Sequence, residues 1–504
     1  MFCCILYTVY NIQRLYVYYE KQIVVIKLLK AGIVMRNERD FIGDMEVSET
    51  VYYGIQTLRA LDNFSITGQS LDSEFIIALA IVKKAAALAN MKTGRLDLQI
   101  GNGIVEAATE IINGTWHEQF VVDPIQGGAG TSINMNTNEV IANRVLELLG
   151  HQKGEYSIVS PNNHVNMAQS TNDVMPTAIR IATISKAKKL VEVLRAAVEA
   201  FHKKADEFSG VLKVGRTHLQ DAVPIRLGQE FEAYAAVLGR SAGRIEKAMQ
   251  DLLTINMGAT AVGTGLNAEP EYIKKVVQEI ACLTGEKFIT CANLIDGTQN
   301  TDVLAEFSGS LKVCCLALSK ICNDLRLMAS GPKCGLNEIY LEPRQPGSSI
   351  MPGKVNPVIP EVVNQVCFQV IGNDVTIALA VEAGQLELNV MEPVIAFNLF
   401  NSLSMLTKAL TVFRAKCITS ITANAERCNA LVDGSVGIVT ALAPYIGYEQ
   451  SAKVAKEAIE TGKLVQQIVL DKGLLKAEEL MIILSPENMT QPGIVGSTKL
   501  QHAV

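Results

Sequence analysis

The strongest constraint on how this 504-residue chain can fold is a set of long apolar seams between residues 171 and about 425. In the first, Ile184, Ala187, Val191, Leu194, Val198, Phe201, Ala205 and Phe208 advance in steps of three and four. The same steps carry Phe231, Ala235, Leu238, Ala242, Ile245, Met249 and Leu252. They recur in Phe307, Leu311, Cys314, Leu318, Ile321, Leu325 and Met328, until Gly331 and Pro332 end the pattern. Leu399, Leu403, Leu406, Leu410, Phe413 and Cys417 form another seam, and 361–383 reads as a shorter, more apolar helix preceded by Pro360. This spacing lines one face of an α-helix. A narrow seam favours near-parallel packing at about 20°, and rods of this kind run ~35–45 Å at about 1.5 Å per residue. Val313, Cys315, Leu316 and Leu327 lie outside the seam of their helix, so a second layer must cover them, most simply helices of other subunits. Period-two strands are scarce. The expected class is all-α, with a long five-helix bundle at its centre.

Composition narrows the function. Lysine and arginine number 45 against 51 aspartates and glutamates, a net charge of −6, which gives no general attraction to nucleic acid or to an acidic membrane. The 11 cysteines show neither C-x-x-C nor Cys/His metal spacing, and Cys314–Cys315 is a vicinal pair in an apolar helix. They read as small buried hydrophobes in a reducing cytosol, which sets a cytoplasmic expectation. Mean hydropathy is +0.22, yet charges interrupt each apolar run before the ~20 residues of a spanning helix. Residues 1–34 are tyrosine-rich and apolar with scattered charges and no small-residue cleavage site. They read as an extension outside the fold, upstream of a start at Met35.

The segment GSSIMPGKVNP (347–357) is the densest in chemistry. Gly347 and Gly353 reach backbone geometries closed to other residues and leave amide donors uncovered. Pro346, Pro352 and Pro357 forbid a continuous helix through it. Such a loop can wrap an anion with backbone N–H groups, the hydroxyls of Ser348 and Ser349, the Lys354 ammonium and the Asn356 amide. Three more polar clusters sit at bends. GGAGTSINMNTNE (127–139) places Thr131 and Ser132 at a helix start, QSTND (169–173) precedes the first long helix, and GRTHLQDAVP (215–224) precedes the second. Each alone reads equally as a helix cap, and His218 alone as a structural histidine. Together they argue for convergence on a small polyanionic ligand, helix N-termini being favourable for anions.

These four clusters, in this order, resemble the aspartase/fumarase superfamily, whose signature has the form G-S-S-x-M-P-x-K-x-N-P. The resemblance runs from about Arg36 to the C-terminus. It implies three largely helical domains, here a mixed N-terminal domain (35–170), a central bundle (171–425) and a small C-terminal domain (426–504). It also implies a homotetramer with a twenty-helix core and active sites that draw on three subunits. QSTND is the aspartase-like form, where fumarases usually carry S-S-N-D. GQLELNVMEPV (384–394) is aspartase-like too, since fumarases typically have lysine at Glu392 and phenylalanine at Met391; HQKGEY (151–156) points the same way. Fumarate hydratase on the same scaffold stays as the alternative, and a catalytically silent structural member as a distant one.

The resemblance implies reversible elimination of ammonia from L-aspartate to give fumarate. Removing a Cβ proton beside a carboxylate creates a dianionic aci-carboxylate, which preorganised donors in a dry site would stabilise. By resemblance Ser348 is the base and Thr131, Ser170, Thr171 and Ser349 hold the β-carboxylate. Lys354 and Asn356 take the α-carboxylate with Thr217 nearby, and Asn172 and His218 surround the departing amino group. Reference pKa alone would make His218 the default base; the resemblance places it among the binding residues, with Glu361 as its partner. No redox or organic cofactor is implied and no dedicated metal site is spaced in the sequence, while activation by a divalent metal stays open. The expected partners are a small-molecule substrate and copies of the chain itself, without nucleic acid or membrane.

Overall fold

The computed structural model describes residues 34–496, and the expectation for the N-terminal extension falls on residues outside that range. A hairpin of β1 (Met35–Arg39) and β2 (Asp44–Ser48) leads into α1 (Ile55–Asn63), α2 (Ser73–Lys92), α3 (Leu98–Ile112) and α4 (Thr131–Leu148). The long helix α5 (Thr171–Glu207) follows, then the antiparallel hairpin β3 (Leu212–Thr217) and β4 (Gln220–Arg226), then α6 (Leu227–Asp251). A two-residue strand β5 (Thr254–Ile255) pairs in parallel with β6 (Ile289–Thr290) across α7 (Pro270–Thr284). The chain continues through α8 (Leu294–Gln299), α9 (Asp302–Met328), α10 (Val358–Glu382) and α11 (Glu392–Lys416). It closes with α12 (Ala425–Gly434), α13 (Val439–Ile446), α14 (Tyr448–Thr461), α15 (Val465–Asp471) and α16 (Ala477–Ile483). The all-α class is as the seams require, and among the described residues the strands form four two-stranded pairs, the fourth joining Ile339–Tyr340 to Thr422–Ala423.

The residues gather into two compact units, and the division falls inside α5, α6, α9, α10 and α11. Of the described residues, one comprises 34–185 with 250–305 and 376–400, the other 186–249, 306–375 and 401–496. In the first, Asp72 caps α2 by accepting from Glu74 N, and Asp97 caps α3 by accepting from the amides of Gln99 and Ile100. Helix α2 is rich in buried alanines (Ala78, Ala80, Ala85, Ala86), which lets α3 and α7 approach closely.

In the second unit, Phe201 of α5 packs against Tyr234 of α6 and Phe413 of α11 at centroid distances of 5.8 and 6.1 Å. These are seam positions or their neighbours, and aromatic pairs in tilted geometry add to what their buried area contributes. A separate apolar cluster joins Leu212 and Val214 of β3 to Val432, Leu442, Val454 and Ile468 of the C-terminal helices. That packing fixes the base of the β3–β4 hairpin. Its residues are rich in glycine, proline and charge, so the sequence reads as a polar bend, whereas the chain pairs there as strands.

Helix α10 starts at Val358, so Pro360 lies inside its first turn rather than before it. First-turn N–H groups have no helical acceptor, and a proline costs little there. By length and hydropathy α10 would pass for a membrane span. Its Asn364 and Asp374 are instead packed inside the second unit, where Asp374 accepts from Ser308 and Lys312, and Asn364 donates to Ser319. Large apolar side chains on the single chain remain open to solvent, among them Leu316 (55 %) on α9 and Phe368 (60 %) and Leu379 (65 %) on α10. Cys314, Cys315, Cys322, Cys367, Cys417 and Cys428 are buried free thiols; Cys282 and Cys334 depart from that pattern and are exposed.

Candidate active site

The sequence-predicted residues divide between the units. Ser348, Ser349, Lys354, Asn356, Thr217 and His218 belong to the second; Thr131, Ser170, Thr171 and Asn172 belong to the first.

The 347–357 loop closes on itself. Gly347 N donates to Lys354 O at 2.8 Å, and Asn356 Nδ2 donates back to Gly347 O at 2.8 Å. A Cβ on Gly347 would lie 2.7 Å from the Lys354 carbonyl, so only glycine permits this closure. Asn356 is therefore a clasp of the loop as well as a candidate ligand. Ser348 Oγ accepts from two backbone amides, Ile350 N at 3.2 Å and Met351 N at 3.0 Å. Ser349, Ile350 and Lys354 are exposed.

Thr217 and His218 occupy the tip of the β3–β4 hairpin. His218 and Leu219 form its two-residue turn with φ of 54° and 59°. Paired positive φ values are what a tight hairpin turn of native twist requires, and they are costly for a leucine. The hairpin is braced from behind: Arg216 donates to the buried Glu338 at 2.8 Å, and buried Lys213 donates to Glu230 at 2.8 Å. His218 makes no hydrogen bond or ion pair with Glu361 within the chain among the described residues; that pairing is not formed here.

In the first unit, QSTND is not a lead-in to α5 but its first turn from Thr171 onward. Ser170 Oγ accepts from Asn172 N at 3.2 Å. Asp173, fully buried, holds the turn in place by accepting from Ser170 N on one oxygen and from Gly258 N and Thr260 N on the other, at 2.9, 3.0 and 3.0 Å. Burial pushes its carboxyl up to about 6 against the pull of those amides and of Lys83. Asn172 Nδ2 donates to Ala261 O at 2.6 Å. Thr131 begins α4 after Gly130, whose φ is +89° and whose Cβ would strike Met175 at 2.3 Å.

Lys83 of α2 is the residue that motif reading passed over. It is fully buried and donates to Asn134 Oδ1, Asn166 Oδ1 and Gln169 Oε1 at 2.7, 3.0 and 2.9 Å. Three carbonyl acceptors match the three donors of an ammonium, while burial pulls its pKa down to about 7. Asn134 in turn donates to Thr171 Oγ1 at 3.3 Å. The available signal was a charge in an alanine-rich apolar helix, which is rarely buried without a purpose. A cavity of about 690 Å³ opens beside this network, lined by Thr131, Asn134, Gln169, Ser170, Thr171 and Arg95 among others. Glu392, at the first turn of α11, is also fully buried, with no hydrogen-bond partner on either oxygen among the described residues. Burial raises its carboxyl well above the usual range, opposed by the field of the equally buried Arg180.

Comparison with known proteins decides the family. The lyase family profile matches residues 43–372, and the profile described as fumarase C C-terminus matches 438–491. Aspartate ammonia-lyase of Bacillus subtilis (strain 168) is 59% identical over 466 residues, 92% of this chain and 98% of that protein. The chain belongs to the aspartate ammonia-lyase family. The enzyme of that name from Escherichia coli (strain K12) is 50% identical over 91% of this chain and 96% of its own length.

Solved structures of the wider family share the fold of this ammonia-lyase family member. A fumarate lyase:delta crystallin from Brucella melitensis, bound to cobalt, matches with a TM-score of 0.89 at 48% identity, covering 91% of this chain and all of that one. A class II fumarase from Schistosoma mansoni matches with a TM-score of 0.87 at 35% identity, covering 91% of this chain and 100% of its own. Among the described residues no group of three or more histidine, cysteine, aspartate or glutamate side chains is placed to hold a metal ion.

Proposed function

We propose that the chain performs the reversible elimination of ammonia from L-aspartate to give fumarate, with Ser348 as the base that removes the Cβ proton. The observation that carries this reading is the pair of amides, Ile350 N and Met351 N, donating to Ser348 Oγ. A serine hydroxyl is a weak base because its alkoxide is unstable. Hydrogen bonds to the charged form, from donors fixed by the backbone, lower that cost, and the Lys354 ammonium of the same loop would lower it further on approaching the serine.

The remaining roles follow the charges that develop. Thr131, Ser170, Thr171 and Ser349 are hydroxyl donors for the β-carboxylate, which gains negative charge as the proton leaves. Lys354, Asn356 and Thr217 hold the α-carboxylate. Asn172 and His218 surround the amino group as it departs. No step calls for an organic or redox cofactor. The proton goes from Cβ to Ser348, the electron pair forms the aci-carboxylate, and its collapse expels the amine. A homotetramer, with the bundle helices of its copies forming a twenty-helix core, completes the site from more than one subunit. The exposed Leu316, Phe368 and Leu379 support that assembly, because monomeric surfaces rarely leave such side chains uncovered together. The three-domain division at 170/171 and 425/426 and a cytoplasmic location complete the proposal.

The test offers purified chain L-aspartate and L-malate separately and follows fumarate by its ultraviolet absorbance. Fumarate from L-aspartate alone is the expected result. Fumarate from L-malate alone would assign the chain to hydration chemistry despite Glu392 and Thr171.

A further inference from the structure

Helix α5 contains an internal proline, Pro176, four residues beyond Asn172. In an α-helix the amide of residue i+4 donates to the carbonyl of residue i, and proline has no such amide. The Asn172 carbonyl is therefore left without its helical donor, in the turn that carries the candidate substrate residues. Another side chain fills that role. Asn256, 1% exposed, donates from Nδ2 to Asn172 O at 3.0 Å.

The orientation of the Asn256 amide is set by its surroundings. Its second N–H donates to Thr298 Oγ1 at 3.1 Å, and that hydroxyl spends its own proton on Leu294 O at 2.7 Å, so it can only accept. A flipped amide would set its oxygen against the Asn172 carbonyl. Asn256 also begins a short loop that grips the same turn again. Gly258 N and Thr260 N donate to Asp173, and Ala261 O accepts from the Asn172 side chain. Thr260 takes a φ of 58° and Gly258 one of +94°, the latter with a Cβ position only 2.8 Å from Ile273. Strained backbone of this kind is retained where the surroundings over-determine it.

We propose that Asn256 is a positioning residue for the substrate's amino end: it replaces the amide that Pro176 lacks and so sets the place of Asn172. This rests on the functional reading above, in which Asn172 surrounds the departing amine. Because Asn256 reaches substrate only through Asn172, its loss acts on binding more than on the chemical step.

The two-residue logic supplies its own rescue. Pro176→Ala restores a backbone donor to the Asn172 carbonyl, so it should repair what Asn256→Ala breaks. The experiment compares the full-length parent, N256A, P176A and the double variant in KM and kcat for L-aspartate and in thermal midpoint. N256A should raise KM about tenfold with a smaller effect on kcat, as loss of a ground-state contact does. P176A should stay within about twofold of the parent, and the double variant should recover most of the lost KM. An N256A protein that melts earlier but keeps the parent KM overturns the proposal. So does a double variant no better than N256A, in KM or, if N256A folds poorly, in folded yield and midpoint. A parent that forms no fumarate from L-aspartate would instead defeat the functional reading; recovery of thermal midpoint by P176A then still decides whether Asn256 substitutes for the missing amide.

Discussion

Two of the candidate site segments are built differently. The Ser170–Asp173 turn is anchored from outside itself: Asp173 takes two amides of the 258–260 backbone, and Lys83 of α2 binds Gln169 just upstream. The 347–357 loop is held by bonds within its own length, Gly347 to Lys354 and Asn356 to Gly347, and leaves Ile350 83% exposed. A buried, externally braced turn makes a fixed receptor for charge. A self-closed, exposed loop can present a base and still move when substrate arrives, as loops over reacting centres commonly do. Stability should therefore reside on one side and turnover on the other.

Substitutions can break this contrast, the largest effect first. Ser348→Ala should lower kcat by about 10²–10⁴-fold, the usual worth of a positioned base; steady-state fumarate formation reads it. Phe368→Glu sets a charge on the uncovered face of α10 and should prevent the proposed homotetramer, with activity falling alongside the mass measured by light scattering. Lys354→Ala should raise KM for L-aspartate by about 10–100-fold, loss of one charge-assisted contact costing ~1.5–3 kcal/mol. Asp173→Asn replaces one accepting oxygen by a donor, which must face an amide either at Ser170 or at Gly258 and Thr260, and should cost ~2–4 kcal/mol of stability, seen as a lower thermal midpoint.

The smallest effect is in pH. The Lys83 pKa falls on folding from 10.5 to about 7, so the unfolded chain binds more protons between those values and the contribution of Lys83 to stability grows as pH rises through them. Asp173 runs the other way: its pKa rises from 3.8 to about 6, the folded chain binds more protons in that window, and its contribution shrinks as pH rises. Denaturant midpoints of the parent and of Lys83→Met across the alkaline range check the first sign. The stability of the parent minus that of Lys83→Met should rise as pH goes from about 7 to 10.5, and a difference that falls there would contradict the sign.

What the sequence made legible follows from periodicity and local chemistry. The seams of α5, α6, α9, α10 and α11 appear because burial on one face writes itself into every third or fourth residue. The candidate anion-binding clusters appear because glycine, serine, threonine and asparagine are dense there. The β3–β4 hairpin did not appear, since Leu212 and Val214 are held by distant C-terminal helices and the strand itself has no alternating pattern long enough to see. Pro360 was read as lying before its helix and sits inside the first turn, where no donor is needed, and Pro176 inside α5 has its lost donor replaced by Asn256. Lys83 and Asp173 were invisible as site residues because their meaning lies in partners more than fifty residues away, Asn134 for one and Thr260 for the other. The implied His218–Glu361 pair is not formed among the described residues of the chain.

The most direct test of the contrast measures kcat and thermal midpoint together on Ser348→Ala and Asp173→Asn. The expected result is a crossing: Ser348→Ala loses turnover and melts with the parent, while Asp173→Asn melts early and keeps more of its turnover per folded molecule. If Ser348→Ala turned over normally, or lost activity only in proportion to lost fold, the loop would not carry the base and the division of labour between the two regions would be wrong.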